Sequence, residues 1–66
     1  MNVVINGKTI TLTREMTLGQ LIQEKCPNPK TVVAEVNQAI IKREHWPQTP
    51  IKENDQIELV TFVGGG

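Results

Sequence analysis

The sequence predicts a two-layer α+β domain, with one helix packed on one face of a mixed sheet of four or five strands. Three observations lead there. Val3-Val4-Ile5 is β-branched and ends at Asn6-Gly7, and residues Thr9 to Thr13 alternate strictly between threonine and aliphatic side chains. Leu18, Leu21 and Ile22 recur at helical spacing behind Thr17. Two more β-rich segments, Thr31 to Val36 and Gln56 to Val63, follow the helix. A single amphipathic helix between strands has one apolar stripe to bury, and one sheet face is enough to cover it.

Each element has its own signal. Asn-Gly between two β-rich runs marks a type I′ hairpin turn, which requires positive φ at both central residues. Residues 2–6 and 9–13 are therefore read as an antiparallel hairpin, with Ile10 and Leu12 on its buried face. Thr17 followed by Gln20 fits a capping box at the start of the helix. Pro27 and Pro29 end the helix, because the residue before a proline is pushed out of the α region. Thr31 to Val36 is a third strand, Asn37-Gln38 a turn, and Ala39 to Ile41 a short fourth strand. Arg43 to Trp46 reads as a one-turn 3-10 or irregular segment, with Trp46 closing one end of the core. Glu53-Asn54-Asp55 is the turn into the last and longest strand. The core is expected to hold Val3, Ile5, Ile10, Leu12, Val32, Ala34, Val36, Ile57 and Leu59, covered by Leu18, Leu21 and Ile22.

With 66 residues the chain forms one domain, residues 1–63, followed by a glycine tail at 64–66. A domain this small buries only about 60% of its unfolded surface, so nearly every apolar residue is structural and no deep pocket is expected. Seven basic residues balance seven acidic ones, which argues against binding nucleic acid or a membrane surface through bulk charge. A single cysteine, Cys26, excludes an internal disulfide and a cysteine zinc site. No apolar run approaches the ~20 residues of a membrane-spanning helix, and no stretch resembles a signal peptide. A cytoplasmic location, a monomer and no bound metal are the expectations.

The terminal Gly64-Gly65-Gly66 is the most informative feature. Three residues without Cβ make a thin strand that can enter a narrow channel, with an α-carboxylate at its tip. Such a carboxylate can be activated by another enzyme as a mixed anhydride with AMP. Taken in isolation, three glycines are better explained as a frayed end or a linker. The chemical reading gains from the tail's position, directly after a strand with no polar spacer. If Ile57 and Leu59 face the core, Val60 and Phe62 face the other side of the sheet and lead with Val63 into the tail. Val4 and Val33 share that outer face by alternation, so a docking surface is expected there. The competing reading packs Phe62 on Trp46.

The remaining candidates read as structural or solvated. Cys26 follows a helix C-terminus, which does not favour a thiolate, and is taken as a half-buried small hydrophobe. His45 is taken as solvent-facing. Arg43-Glu44 is either a surface ion pair or a partner contact.

The whole chain resembles the ThiS family, ubiquitin-like β-grasp sulfur carriers of thiamine biosynthesis. The resemblance is carried by Val3-Val4-Ile5-Asn6-Gly7, by Val36-Asn37-Gln38-Ala39-Ile40-Ile41 and by Arg43-Glu44-His45-Trp46. It continues in Asn54-Asp55-Gln56-Ile57-Glu58-Leu59 and in Phe62-Val63-Gly64-Gly65-Gly66. Asn54 stands where the family often has glycine; asparagine tolerates positive φ, so the turn is expected to survive.

The resemblance implies a carrier that catalyses nothing and binds no cofactor itself. The Gly66 carboxylate would be adenylated by an E1-like enzyme using ATP. Sulfur from a cysteine desulfurase would convert it to a thiocarboxylate, and thiazole synthase would take that sulfur. Gly64 and Gly65 would enter the partners' active sites, with Val60, Phe62 and Val63 docking outside. The same tail fits a carrier for molybdopterin synthesis or a ubiquitin-like protein modifier. A partner-binding adaptor with an inert tail is the alternative of another class.

Overall fold

The computed structural model describes residues 1–62. Five strands and one helix form: β1 (Asn2–Ile5), β2 (Lys8–Thr11), α1 (Leu18–Lys25), β3 (Val32–Val36), β4 (Ala39–Ile41) and β5 (Gln56–Thr61). Two 3-10 segments, Pro29–Thr31 and Arg43–Gln48, precede β3 and follow β4. The strands lie in the order β2-β1-β5-β3-β4, so the last strand of the chain is the middle of the sheet. β5 runs parallel to β1 and antiparallel to β3, and both hairpins are antiparallel. This is the expected β-grasp arrangement.

Local chemistry accounts for the connections. Asn6 and Gly7 have φ of +50° and +79°, as a turn matched to strand twist requires. Asn37 and Gln38, at +51° and +74°, repeat that geometry between β3 and β4. Asn54, at +70°, takes the left-handed position that a glycine would otherwise fill. Thr17 caps α1 with the expected capping box: its Oγ1 accepts from the Gln20 N–H, and the Gln20 side chain accepts from the Thr17 N–H. The helix stops at Cys26, one residue before Pro27.

Leu18, Leu21 and Ile22 are the buried stripe of α1, set against Val3, Ile5, Val32, Ala34, Ile57 and Leu59 from the sheet. Trp46 closes the core as expected, its Nε1–H donating to the Ile41 carbonyl at 2.9 Å. Gly19 lies against the second 3-10 segment, where a Cβ would sit in ordinary contact, 3.4 Å from the Pro47 nitrogen.

Three details differ from the expectations. Ile10, Leu12 and Val36 are half-buried, because β2 lies at the sheet edge, Leu12 lies past its end, and Val36 ends β3. Met16 and Ile51 enter the core instead. They are brought together by backbone pairing of distant segments: the Leu18 N–H donates to the Thr49 carbonyl, and the Ile51 N–H to the Met16 carbonyl. Thr31 belongs to a 3-10 turn rather than β3, since Asn28 and Pro29 start that turn and Asn28 Oδ1 accepts from the Lys30 N–H.

Two polar devices hold β5 in place. Asp55, the one charged residue buried among those described, accepts from Asn37 Nδ2 at 3.0 Å and from the Lys52 N–H at 2.8 Å. Asn37 Oδ1 in turn accepts from the Gln56 N–H. At the other end, Asn6 Oδ1 accepts from the Leu59 N–H at 2.8 Å, and Asn6 Nδ2 donates to the Leu59 carbonyl at 3.3 Å.

Leu21→Ala is expected to cost about 2–5 kcal/mol, the penalty of a cavity under the helix, read by urea denaturation. Asn6→Ala is expected to cost about 1–3 kcal/mol in the same assay, because both polar groups of the Leu59 backbone lose their partner and alanine is strained at the positive φ of Asn6. Parental stability in either variant contradicts the corresponding contact.

Candidate functional site

The site is built on the end of β5. β5 is the central strand, paired with β3 from Ile57 to Thr61 and with β1 at Gln56 and Ile57. The helix covers one face of that strand through Ile57 and Leu59, both buried. Alternation then turns Val60 and Phe62 to the opposite face, where they are 50% and 60% exposed. Phe62 follows the last residue of β5, yet its N–H still donates to the Thr31 carbonyl at 2.9 Å, so it remains in the ladder. Trp46 is buried on the helix side, so the alternative in which Phe62 packs on it is not what forms.

The outer face is more extensive than the four residues anticipated. Val33 lies directly opposite Val60 and is half-buried, as is Val4 on β1. Ile40, at 68% the most exposed large apolar residue described, lies opposite Glu35 on the same face. The sequence alone did not single out Ile40, because Ala39-Ile40-Ile41 offers two adjacent isoleucines and only the strand register decides which one points outward. Glu35 lies opposite Glu58, so two carboxylates face the same side of the sheet on neighbouring strands. Like charges in that relation are destabilising.

The other candidates fall as read. Cys26 is half-buried against the core, and His45 is exposed. Arg43 and Glu44 are exposed and form no ion pair with each other; the described ion pair joins Arg14 to Glu24. No group of three His, Cys, Asp or Glu among the described residues is placed to hold a metal. No described helix is long and apolar enough to cross a membrane. Val63 and the tail residues Gly64, Gly65 and Gly66 lie outside the described residues.

The model of the ThiS family matches residues 3–66, nearly the whole chain and all of the terminal glycines. The chain belongs to the ThiS family. The sulfur carrier protein ThiS of Bacillus subtilis is 33% identical over 63 residues, covering 94% of this chain and 96% of that protein. The crystal structure of the thiamine biosynthesis protein ThiS from Geobacter metallireducens matches with a TM-score of 0.86 at 30% identity, with both chains covered in full. The thiazole synthase of Paramagnetospirillum magneticum is 32% identical over 66 residues, all of this chain but 20% of that protein. This ThiS-family chain thus spans about a fifth of the length of that thiazole synthase.

The opposed glutamates give a direct test of the outer face as a surface not optimised for folding. Glu58→Gln is expected to raise stability by about 0.2–1 kcal/mol at low salt, measured by urea denaturation, with the gain shrinking as salt is added. A loss of stability would mean that Glu58 is balanced by a favourable contact.

Proposed function

We propose that this chain is a sulfur carrier of thiamine biosynthesis that works as a co-substrate of partner enzymes. The observation that carries the proposal is the end-to-end match to the ThiS family, running through the C-terminal glycines that hold the reacting group. The architecture supports it: the glycine tail follows the central strand in the sequence, and an exposed apolar face lies at the end of that strand.

The proposed chemistry uses the C-terminal carboxylate of Gly66. An E1-like enzyme brings that carboxylate to the α-phosphate of ATP; the acyl-adenylate forms and pyrophosphate leaves. A persulfide derived from cysteine by a desulfurase attacks the acyl carbon, and AMP leaves. A thiol reductant then cleaves the resulting acyl disulfide, leaving the thiocarboxylate. Thiazole synthase accepts that sulfur, a partnership supported by the similarity of this chain to part of two thiazole synthases. Val60, Phe62 and Val63 dock outside the partners' channels while Gly64 and Gly65 occupy them. No side chain of this carrier enters the bond-making steps.

Intact-mass measurement after incubation with the adenylating enzyme, ATP and a sulfur donor tests the reading. A gain equal to one oxygen replaced by sulfur, located at Gly66, is expected; an unchanged mass with an active enzyme overturns it. An adaptor with an inert tail would keep its function after removal of Gly65 and Gly66, whereas the carrier loses all of it with an unchanged fold. Thiamine-protein relatives of this chain favour thiamine over molybdopterin synthesis or protein modification.

Docking and chemistry are separated along the strand, so variants in each are expected to fail differently in ATP–pyrophosphate exchange. Gly65→Val leaves half-saturation near the parental value and lowers saturating exchange at least about a hundredfold, because a misplaced carboxylate loses its alignment. Phe62→Ala raises half-saturation roughly five- to tenfold and keeps saturating exchange. Normal saturating exchange with Gly65→Val contradicts the channel, and unchanged half-saturation with Phe62→Ala contradicts the docking face.

A further inference from the structure

The hydrogen-bonding alternation of β5 leaves one of its positions unfilled. The Phe62 N–H donates to the Thr31 carbonyl, and the Gln56 carbonyl accepts from the Asn37 N–H. Even-numbered residues of β5 therefore direct their backbone groups toward β3. Odd-numbered residues direct theirs toward β1: the Ile57 carbonyl accepts from the Asn6 N–H at 2.9 Å. At Leu59 the strand β1 has already ended, and the Asn6 side-chain amide takes over. That carboxamide presents its oxygen and one of its two N–H groups to Leu59, the same acceptor–donor pair a backbone peptide would offer.

Thr61 is the next odd position, one ladder repeat or about 6.6 Å farther along. Its N–H and carbonyl face the same edge, and neither has a partner among the described residues. The residue is exposed. β1 has turned away, and Asn6 is committed to Leu59. The edge of the central strand is thus closed up to Leu59 and open at Thr61, three residues before Gly64 in the sequence.

We infer that the open edge at Thr61 receives an extended segment of thiazole synthase, which adds to the sheet beside β5 and fixes the register of the tail in that enzyme. This rests on the sulfur-carrier reading above. Main-chain pairing suits the position because the Asn6 amide shows that a peptide-like group fits this edge at Leu59. The flanking Val60 and Phe62 side chains, both exposed on the outer face, give alternate residues of the added segment something to pack against. Asn6 is then a positioning residue: by filling the preceding site it stops the added segment from sliding toward β1.

The test is amide hydrogen exchange of the full chain, free and saturated with thiazole synthase, with labelling in the complex followed by quenching and NMR readout. The Thr61 amide is expected to exchange rapidly in the free carrier and at least about tenfold more slowly in the complex. A chemically ligated chain, joined at Cys26, with the Thr61 amide replaced by an ester removes that donor and also weakens the Val60 carbonyl, which faces β3 opposite Val33, as an acceptor. It is expected to fold with a slightly lowered Tm and to weaken binding to thiazole synthase about three- to tenfold. A complex in which the sheet face is protected but the Thr61 amide still exchanges rapidly overturns the inference and leaves the carrier reading standing. So does a folded ester chain that binds as tightly as the parent. Concentration-dependent protection in the free protein also overturns it, placing a second copy at the edge. Absence of any complex overturns the inference together with the thiazole synthase partnership.

Discussion

Everything in this domain depends on the insertion of the last strand between the first and the third. β5 separates β1 from β3, so without it the sheet falls into two hairpins that share no hydrogen bonds. An isolated two-stranded hairpin is marginal in water at best. The helix alone is also marginal at eight residues, and its buried stripe is completed by Ile57 and Leu59 of that same strand. The parallel β1–β5 pair joins segments some fifty residues apart, which places much of the fold's stability in contacts that form only when the chain is nearly complete.

That constraint also explains where polar side chains are spent. Parallel pairing of β1 with β5 covers Val4 to Gln56 and Ile5 to Ile57 and then ends, because the hairpin turn follows at Asn6. The Asn6 amide extends the pairing by one position without extending the strand. At the opposite end Asp55 and Asn37 tie the turn before β5 to the turn after β3, each satisfying backbone or side-chain groups of the other. A buried carboxylate without such partners would be costly. Among the described residues, three of the four other than glycine at positive φ are asparagines, and two of them, Asn6 and Asn37, both shape a turn and clamp β5.

The consequence for function is a mechanical one. A carrier has to present its terminus from a fixed origin, so that a partner can recognise the body and still reach that terminus. Placing the final strand in the centre of the sheet, with one face on the core and the other exposed, gives that origin. Val60 and Phe62 lie on the exposed face as alternation requires, close to the point where the chain leaves the sheet. The apolar surface beside them, with Val33 and Ile40, comes from strands β3 and β4 and exists only because β5 lies next to β3.

Short-range features of this protein were determined by the sequence itself: the hairpin at Asn6-Gly7, the capping box from Thr17, the helix end before Pro27, the turn at Asn37-Gln38 and the glycine tail. Each is set by steric limits on φ or by hydrogen bonds spanning a few residues, so neighbours in sequence suffice. The inward direction of Ile57 and Leu59 and the outward direction of Val60 and Phe62 also followed from alternation. Tertiary structure alone decided the strand order, the entry of Met16 and Ile51 into the core, the burial of Asp55, the exposure of Ile40 and the open edge at Thr61. Those outcomes depend on which distant segments pair and in what register, and a strand's local sequence carries no label for its partner.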